Sequence, residues 1–349
     1  MLTPRIPLSV SERELGAPKL FVIVDTEEEF DWSAPFSRAA TAVTHIKAQD
    51  RAQRIFARFG LKPNYVVDYP VASQETGYRP LREWLADGSC EIGAHLHPWV
   101  NPPFEETPSP RLSYPGNLPA ALERDKLRIL SETILANFGH RPTLYRAGRY
   151  GIGPASGGIL EELGYEIDTS IAPRVDLSAD GGPDFTAYNR RPFWFGAANR
   201  LLELPLTAAW CGELRHRGRQ IDPLRHSALG RRLHLSGILA RTGLFERIRL
   251  SPEGIDLAAL KRLTKTLLQA GTRCFGLTYH SPSLAPGHTP YVRDGGELEE
   301  FLRRIEAYCE FFFGECGGAP STPGELRAQL LQAERRAPDP QPAAAAATA

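Results

Sequence analysis

The sequence predicts a parallel α/β fold, a (β/α) barrel of about seven strands. Three observations lead there. Apolar, β-rich runs alternate with helix-patterned segments from residue 19 to residue 313. The alternation yields roughly seven strands, which favours a barrel over an open sheet. No glycine-rich phosphate fingerprint follows the first run, and Gly148, Gly151 and Gly153 stand mid-chain without the GxGxxG spacing of a dinucleotide-binding sheet.

Residues 1–17 read as a polar, Pro-containing lead-in to a domain spanning residues 18–335. The first strand, 19–25, carries Phe21-Val22-Ile23-Val24, four β-formers in succession, as a buried strand requires. A helix follows Thr44, with Ile46, Ile55, Phe56 and Phe59 apolar and Gly60 as its stop. Strand 62–69 precedes a short helix at 81–86, and Asp87-Gly88 leads into the strand ending at His97. Residues 98–117 form a proline-rich connection far longer than the usual ~2–6 residues, so they are either disordered or functional. Helix 118–138 places Leu122, Ile129, Leu130, Ile134 and Leu135 on one face. Strand 144–148, helix 155–163 with Gly164 as its stop, strands 165–171 and 201–206, helix 257–269, strand 274–280 and helix 297–313 complete the rhythm. Residues 207–255 break it with Arg215, Arg217, Arg219, Arg225, Arg231, Arg232, Arg241, Arg247 and Arg249, and read as an insertion over the barrel mouth. They form either a solvated basic surface or a site for an anionic substrate. The Pro- and Ala-rich tail, 336–349, is expected to be disordered.

At 349 residues the chain can bury a sizeable core. Forty-one basic residues balance forty-one acidic ones, so no global field draws it to nucleic acid. Five cysteines without a CxxC pair suit free thiols in a reducing compartment. With no apolar leader pattern and no long apolar run, a cytoplasmic protein that does not insert into membranes is expected. Nothing in the sequence sets the oligomeric state.

The chemistry gathers at strand ends. Asp25-Thr26-Glu27-Glu28-Glu29-Phe30-Asp31 crowds five acids behind the first strand, and such a cluster asks for a counter-charge. Asp25 and Glu27 point to one side while the backbone stays extended. Glu91-Ile92-Gly93-Ala94-His95-Leu96-His97-Pro98-Trp99 ends a strand in two imidazoles at i and i+2. With Glu27 they make a two-His, one-carboxylate set suited to a divalent metal, zinc first among the ions tolerant of mixed nitrogen and oxygen ligands. Tyr145-Arg146-Ala147-Gly148-Arg149-Tyr150 places at another strand end a guanidinium that can hold Asp25 ionised. Asp168 and His280 end two further strands and are the preferred carboxylate–imidazole pair. Taken singly, each of these residues has a plainer explanation as an ion pair or a turn residue.

In order, the acid-rich first strand, Gly93-Ala94-His95-Leu96-His97-Pro98, YRAGRYG at 145–151, Asp168-Thr169-Ser170 and Thr278-Tyr279-His280-Ser281-Pro282 resemble the polysaccharide deacetylase family, which shares its homology domain with chitooligosaccharide deacetylases. The resemblance spans about residues 21–280 and lies nearest members from exopolysaccharide or lipopolysaccharide synthesis loci. It implies a distorted (β/α) barrel that hydrolyses an N-acyl group, acetyl or formyl, on a sugar with a metal-activated water. It further implies Asp25 as general base, Arg146 as its orienting partner, the backbone near Tyr150 as oxyanion donor, His280 as acid and Asp168 as the residue tuning it. His95 and His97 match the metal histidines. Two departures stand out: Thr26 fills the position of a second aspartate, which passes that role to Glu27, and the histidines stand two apart rather than four. Trp99 is the candidate for stacking on a sugar face. The expected partner is an N-acylated sugar or oligosaccharide. The alternatives are a non-catalytic carbohydrate-binding barrel that has lost its metal, and an amidohydrolase acting on a non-sugar cyclic amide.

Overall fold

Lys19–Thr26 (β1) opens a seven-strand parallel run in the computed structural model, which describes residues 5–8 and 11–336. Every side chain from Leu20 to Thr26 is buried, as expected of a strand covered on both faces. Asn64–Val67 (β2), Glu91–Leu96 (β3), Leu144–Ala147 (β4), Ile167–Asp168 (β5), Leu201–Glu203 (β6) and Cys274–His280 (β7) follow. All neighbours pair in parallel, in the order β7-β1-β2-β3-β4-β5-β6. The sheet curls into a half-barrel. Between β6, which also pairs antiparallel with Phe193–Phe195, and β7 the sheet is bridged by single bonds: Leu250 N donates to Thr207 O, and Thr278 N donates to Leu250 O.

Strand alternation assigns the two faces. Phe21, Ile23, Val66, Leu144, Ile167 and Leu202 face inward, with Leu326 and Leu330 of helix Pro323–Arg336 packed among them. That helix plugs the lower half of the barrel, and no sequence pattern had marked it out. Val22, Val24, Tyr65, Tyr145 and Leu277 face the other way, into the layer of helices that includes Asp50–Arg58, Ala120–Phe138 and Leu257–Gln269. Asp25, His95, Arg146 and His280 share the phase of the inward residues, one or two steps further along their strands, so they crown the apolar floor.

Several stretches do more than their composition suggested. In the lead-in, Arg5–Pro7 pairs antiparallel with Phe193–Phe195, and the Glu12 carboxylate accepts from Arg273 N and Cys274 N. The proline-rich connection 98–117 is ordered: the buried Lys126 ammonium donates to the carbonyls of Pro98, Asn101 and Pro103 and pairs with Glu106. In the arginine-rich stretch, Ala208–Cys211 and Glu246–Arg249 form an antiparallel pair, and three helices, Gly218–His226, Ala228–Arg232 and Leu235–Arg241, lie between them. Of the tail expected to be disordered, Arg336 ends the last helix and 337–349 fall outside the described residues.

Candidate active site

The strand-end side chains meet in a pocket of about 340 Å³. Registry brings Asp25 and His280 side by side on β1 and β7. Asp25 Oδ1 pairs with Arg146 Nε at 2.8 Å, and its Oδ2 stands 3.6 Å from His280 Nε2. Arg146 is fully buried, and Asp25 keeps its guanidinium charged against the cost of burial.

The His280 partner is not Asp168. His280 Nδ1 lies 2.9 Å from Glu253 Oε2, and the His280 backbone N–H donates to Glu253 Oε1. Ser283 Oγ also donates to Glu253 Oε1, at 2.7 Å. Burial alone would lower the imidazole pKa, but the Glu253 charge and hydrogen bond outweigh it and raise the pKa. Asp168 lies elsewhere because of strand phase: Ile167 faces inward, so Asp168 faces the helix layer beside Tyr145. There it accepts from Ser170 Oγ at 2.5 Å and meets the Glu203 carboxyl, and burial raises both acids. Neither acid lines the pocket. Glu253 escaped notice because it lies near the end of the arginine-rich stretch 207–255, where no strand pattern pointed to it; its one signal was an acid in the Ser251-Pro252-Glu253-Gly254 turn.

Glu27 stands between the two histidines. Its Oε2 is 3.5 Å from both His95 Nε2 and His97 Nε2, and the ligand atoms of the three lie within 4.8 Å of one another. The opposite nitrogens are held: His95 Nδ1 by Arg146 O at 2.9 Å, His97 Nδ1 by Glu28 Oε2 at 2.7 Å. Both imidazole pKa values are lowered by burial, that of His97 to about 4, so both rings are neutral and keep a lone pair for a ligand. Glu27 Oε1 is buried with no hydrogen-bond partner, and burial together with Glu28, Asp25, Asp68 and Glu253 pushes its carboxyl pKa up. An unpartnered carboxylate, two neutral imidazoles with anchored rear nitrogens and an excess of buried negative charge fit a divalent cation. Thr26 turns away and donates to Val24 O. A second grouping, Glu28, Asp68 and His97, is the outer support of His97: Glu28 also accepts from Trp99 Nε1, and its backbone N–H donates to Asp68.

Trp99 is placed differently from the sugar-stacking position expected of it. It is buried, with its ring stacked 4.2 Å from His97 and tilted against Phe36 at 4.6 Å. It backs the pocket and steadies Glu28. The exposed ring at the rim is Trp32, edge-on to His280 and Tyr291. Tyr150 lines the pocket beneath Arg146, and both Arg149 and Tyr150 have positive φ, 53° and 59°. Two consecutive non-glycine residues in that region are costly unless the surroundings impose them. Both residues of this turn line the pocket.

Solved structures similar in shape to the whole molecule include three of similar extent. One from Mycobacterium smegmatis, described as a candidate polysaccharide deacetylase, is 17% identical over 97% of each chain, with a TM-score of 0.51. One from Pseudomonas aeruginosa PAO1, assigned as a polysaccharide deacetylase, is 13% identical over 93% of this chain and 94% of its own, also at 0.51. The PuuE allantoinase is 14% identical over 94% of this chain and 97% of its own, at 0.53. The chain shares their fold. No protein-family profile matches the sequence, and no curated protein does so.

Proposed function

We propose that this protein is a metal-assisted amidohydrolase that removes an N-acyl group, acetyl or formyl, from a sugar. The supporting observation is the meeting, in one pocket, of a guanidinium-held carboxylate, a glutamate-backed histidine and the Glu27–His95–His97 donor set. Such a pocket separates the roles of base and acid as hydrolysis of a C–N bond requires. A divalent ion, zinc first among the candidates, held by Glu27, His95 and His97 would supply Lewis acidity toward the acyl carbonyl and the water. Asp25, held by Arg146, takes the proton from the attacking water. In this reading a backbone N–H near Tyr150 donates to the developing oxyanion. His280, kept protonated by Glu253, delivers its proton to the departing nitrogen. Asp168 takes no part. Trp32 and Tyr291 offer ring faces and edges to a sugar at the rim.

The test is release of acetate or formate from a panel of N-acylated amino sugars and their oligomers, before and after chelation and re-addition of zinc. Activity restored by zinc and abolished in Asp25→Asn and His280→Ala supports the reading. A folded protein that binds zinc but cleaves none of the panel overturns it in favour of the non-catalytic barrel. Cleavage of cyclic amides alone would favour the second alternative, which the fold shared with the allantoinase keeps in view.

A further inference from the structure

The three-helix excursion within the arginine-rich stretch has a surface that the proposed chemistry does not use. Residues 215–241 carry seven arginines and one acid, Asp222, which is tied to Arg225. Arg217, Arg219, Arg231, Arg232 and Arg241 are exposed, and no carboxylate pairs with any of them among the described residues. The same surface exposes Leu224 (60%), Leu229 (65%), Leu233 (56%) and Ile238 (50%), half of the large hydrophobic side chains exposed among the described residues. A merely solvated basic face would not carry four protruding aliphatics side by side in sequence with unpaired guanidiniums. No helix of the described residues is long and apolar enough to cross a membrane.

We propose that this excursion is a docking cap that seats on an anionic lipid surface, with the aliphatics dipping to the acyl boundary and the arginines meeting headgroup phosphates. Charge complementarity selects the anionic partner, and the aliphatics select lipid over nucleic acid, whose backbone offers them nothing. Leu224, Leu229 and Leu233 stand out from these short helices, while Ile238 lines a concavity with Arg231 and Arg241. A fluid bilayer accommodates such an outcrop, whereas a rigid protein partner would need a matching set of hollows. The cap adjoins the pocket: Arg247, beside Arg225 and Asp222, also feels Tyr150 and Arg249, and both of these line the mouth. Docking would hold the mouth close to a lipid surface.

The experiment is co-sedimentation of the full chain with phosphatidylcholine vesicles, with and without about one third phosphatidylglycerol. Binding to the anionic vesicles alone, weakened by salt, is expected. Arg231→Ser with Arg232→Ser should weaken it about thirtyfold, at about fivefold per arginine. Leu229→Ser with Leu233→Ser should weaken it as well, and since these positions are exposed, circular dichroism should stay unchanged in both variants. Absence of binding to either vesicle overturns the proposal, as does binding indifferent to the leucines, which would leave only non-specific electrostatics. A dimer dispersed by the leucine substitutions would assign the face to a second copy, and retention on heparin without vesicle binding would assign it to another polyanion. Both outcomes also overturn the proposal.

Discussion

Gly148 should be irreplaceable, and the reason is a single imidazole. A methyl carbon built on it would stand 2.4 Å from His97 Cδ2 and 2.5 Å from Leu96 O. Carbon–carbon contact is comfortable only from roughly 3.5 Å, so in Gly148→Ala the ring must retreat by about 1 Å or β3 and β4 must part. Retreat is opposed by Trp99, stacked on the ring at 4.2 Å, and by Phe30, edge-on at 6.0 Å. A shift of that size breaks the 2.7 Å bond from His97 Nδ1 to Glu28 and carries Nε2 away from Glu27. Overpacking of this kind costs about 1–3 kcal/mol of stability. Misplacing a catalytic or ligand group by about 1 Å costs on the order of 100-fold in rate. The assay that isolates the effect is the rise in Tm on adding zinc, which at 100-fold excess over Kd corresponds to about 2.7 kcal/mol and would nearly vanish if affinity fell 100-fold. Gly158→Ala is the control, because nothing lies within 4 Å of its added methyl inside helix Ser156–Glu162. That substitution should stabilise by about 0.5–1 kcal/mol and leave the zinc response intact. A Gly148→Ala protein with the zinc response and hydrolysis rate of the parent would refute the placement of His97.

Three further outcomes are expected. Glu253→Gln removes the charge that raises the His280 pKa, so burial then dominates and the alkaline limb of the rate profile should move to lower pH, with kcat reduced about 100-fold; an unmoved limb would exclude His280 as the proton donor. The His280–Glu253 pair likewise contributes stability that is present at low pH and lost as pH rises through the raised pKa. His45, whose pKa is lowered to about 4 by burial while it bonds to Glu29 and Ser281, contributes in the opposite sense. Stability is full above about pH 6.5 and falls, by on the order of 3 kcal/mol, toward pH 4, and His45→Gln should flatten that slope in urea titrations. Leu326→Ala, inside the half-barrel, should cost about 2–5 kcal/mol in chemical unfolding, and a cost below about 1 kcal/mol would show that the last helix does not plug the sheet.

Most of the seven parallel strands were legible because they are short apolar runs, and their C-terminal ends were legible because polar residues accumulate there. Strand phase was also available but went unused at Asp168: Ile167 is the inward residue of that pair, and alternation alone turns Asp168 toward the helices. Glu253 was out of reach for a different reason. It belongs to a turn placed by the bonds of Leu250 to Thr207 and Thr278, contacts between residues far apart in the chain that leave no local periodicity. The C-terminal helix was missed because its exposed side is so charged that Leu326 and Leu330 stand nearly alone as apolar marks. Trp99 illustrates a third limit: an aromatic two residues from a candidate ligand histidine reads as a binding surface, but its indole N–H found a buried carboxylate, and that bond settled its orientation.

The two departures from the deacetylase pattern have one structural origin, the point at which β1 stops being extended. β1 ends at Thr26, whose side chain bonds back to Val24 O and is unavailable as a ligand. The backbone beyond is gripped from both sides: Glu27 N donates to Ser281 Oγ, and Glu28 N donates to Asp68. Consecutive glutamates consequently approach the same imidazole from opposite ends, Glu27 toward His97 Nε2 and Glu28 at His97 Nδ1. β3 stays extended through Leu96, so histidines two residues apart keep one side and bring both Nε2 atoms to Glu27. A spacing of two on a strand thus turns two nitrogens to one position, as a spacing of four does on a helix, and the one-residue shift from Thr26 to Glu27 sets a carboxylate beside the strand-borne pair that the proposed metal site requires.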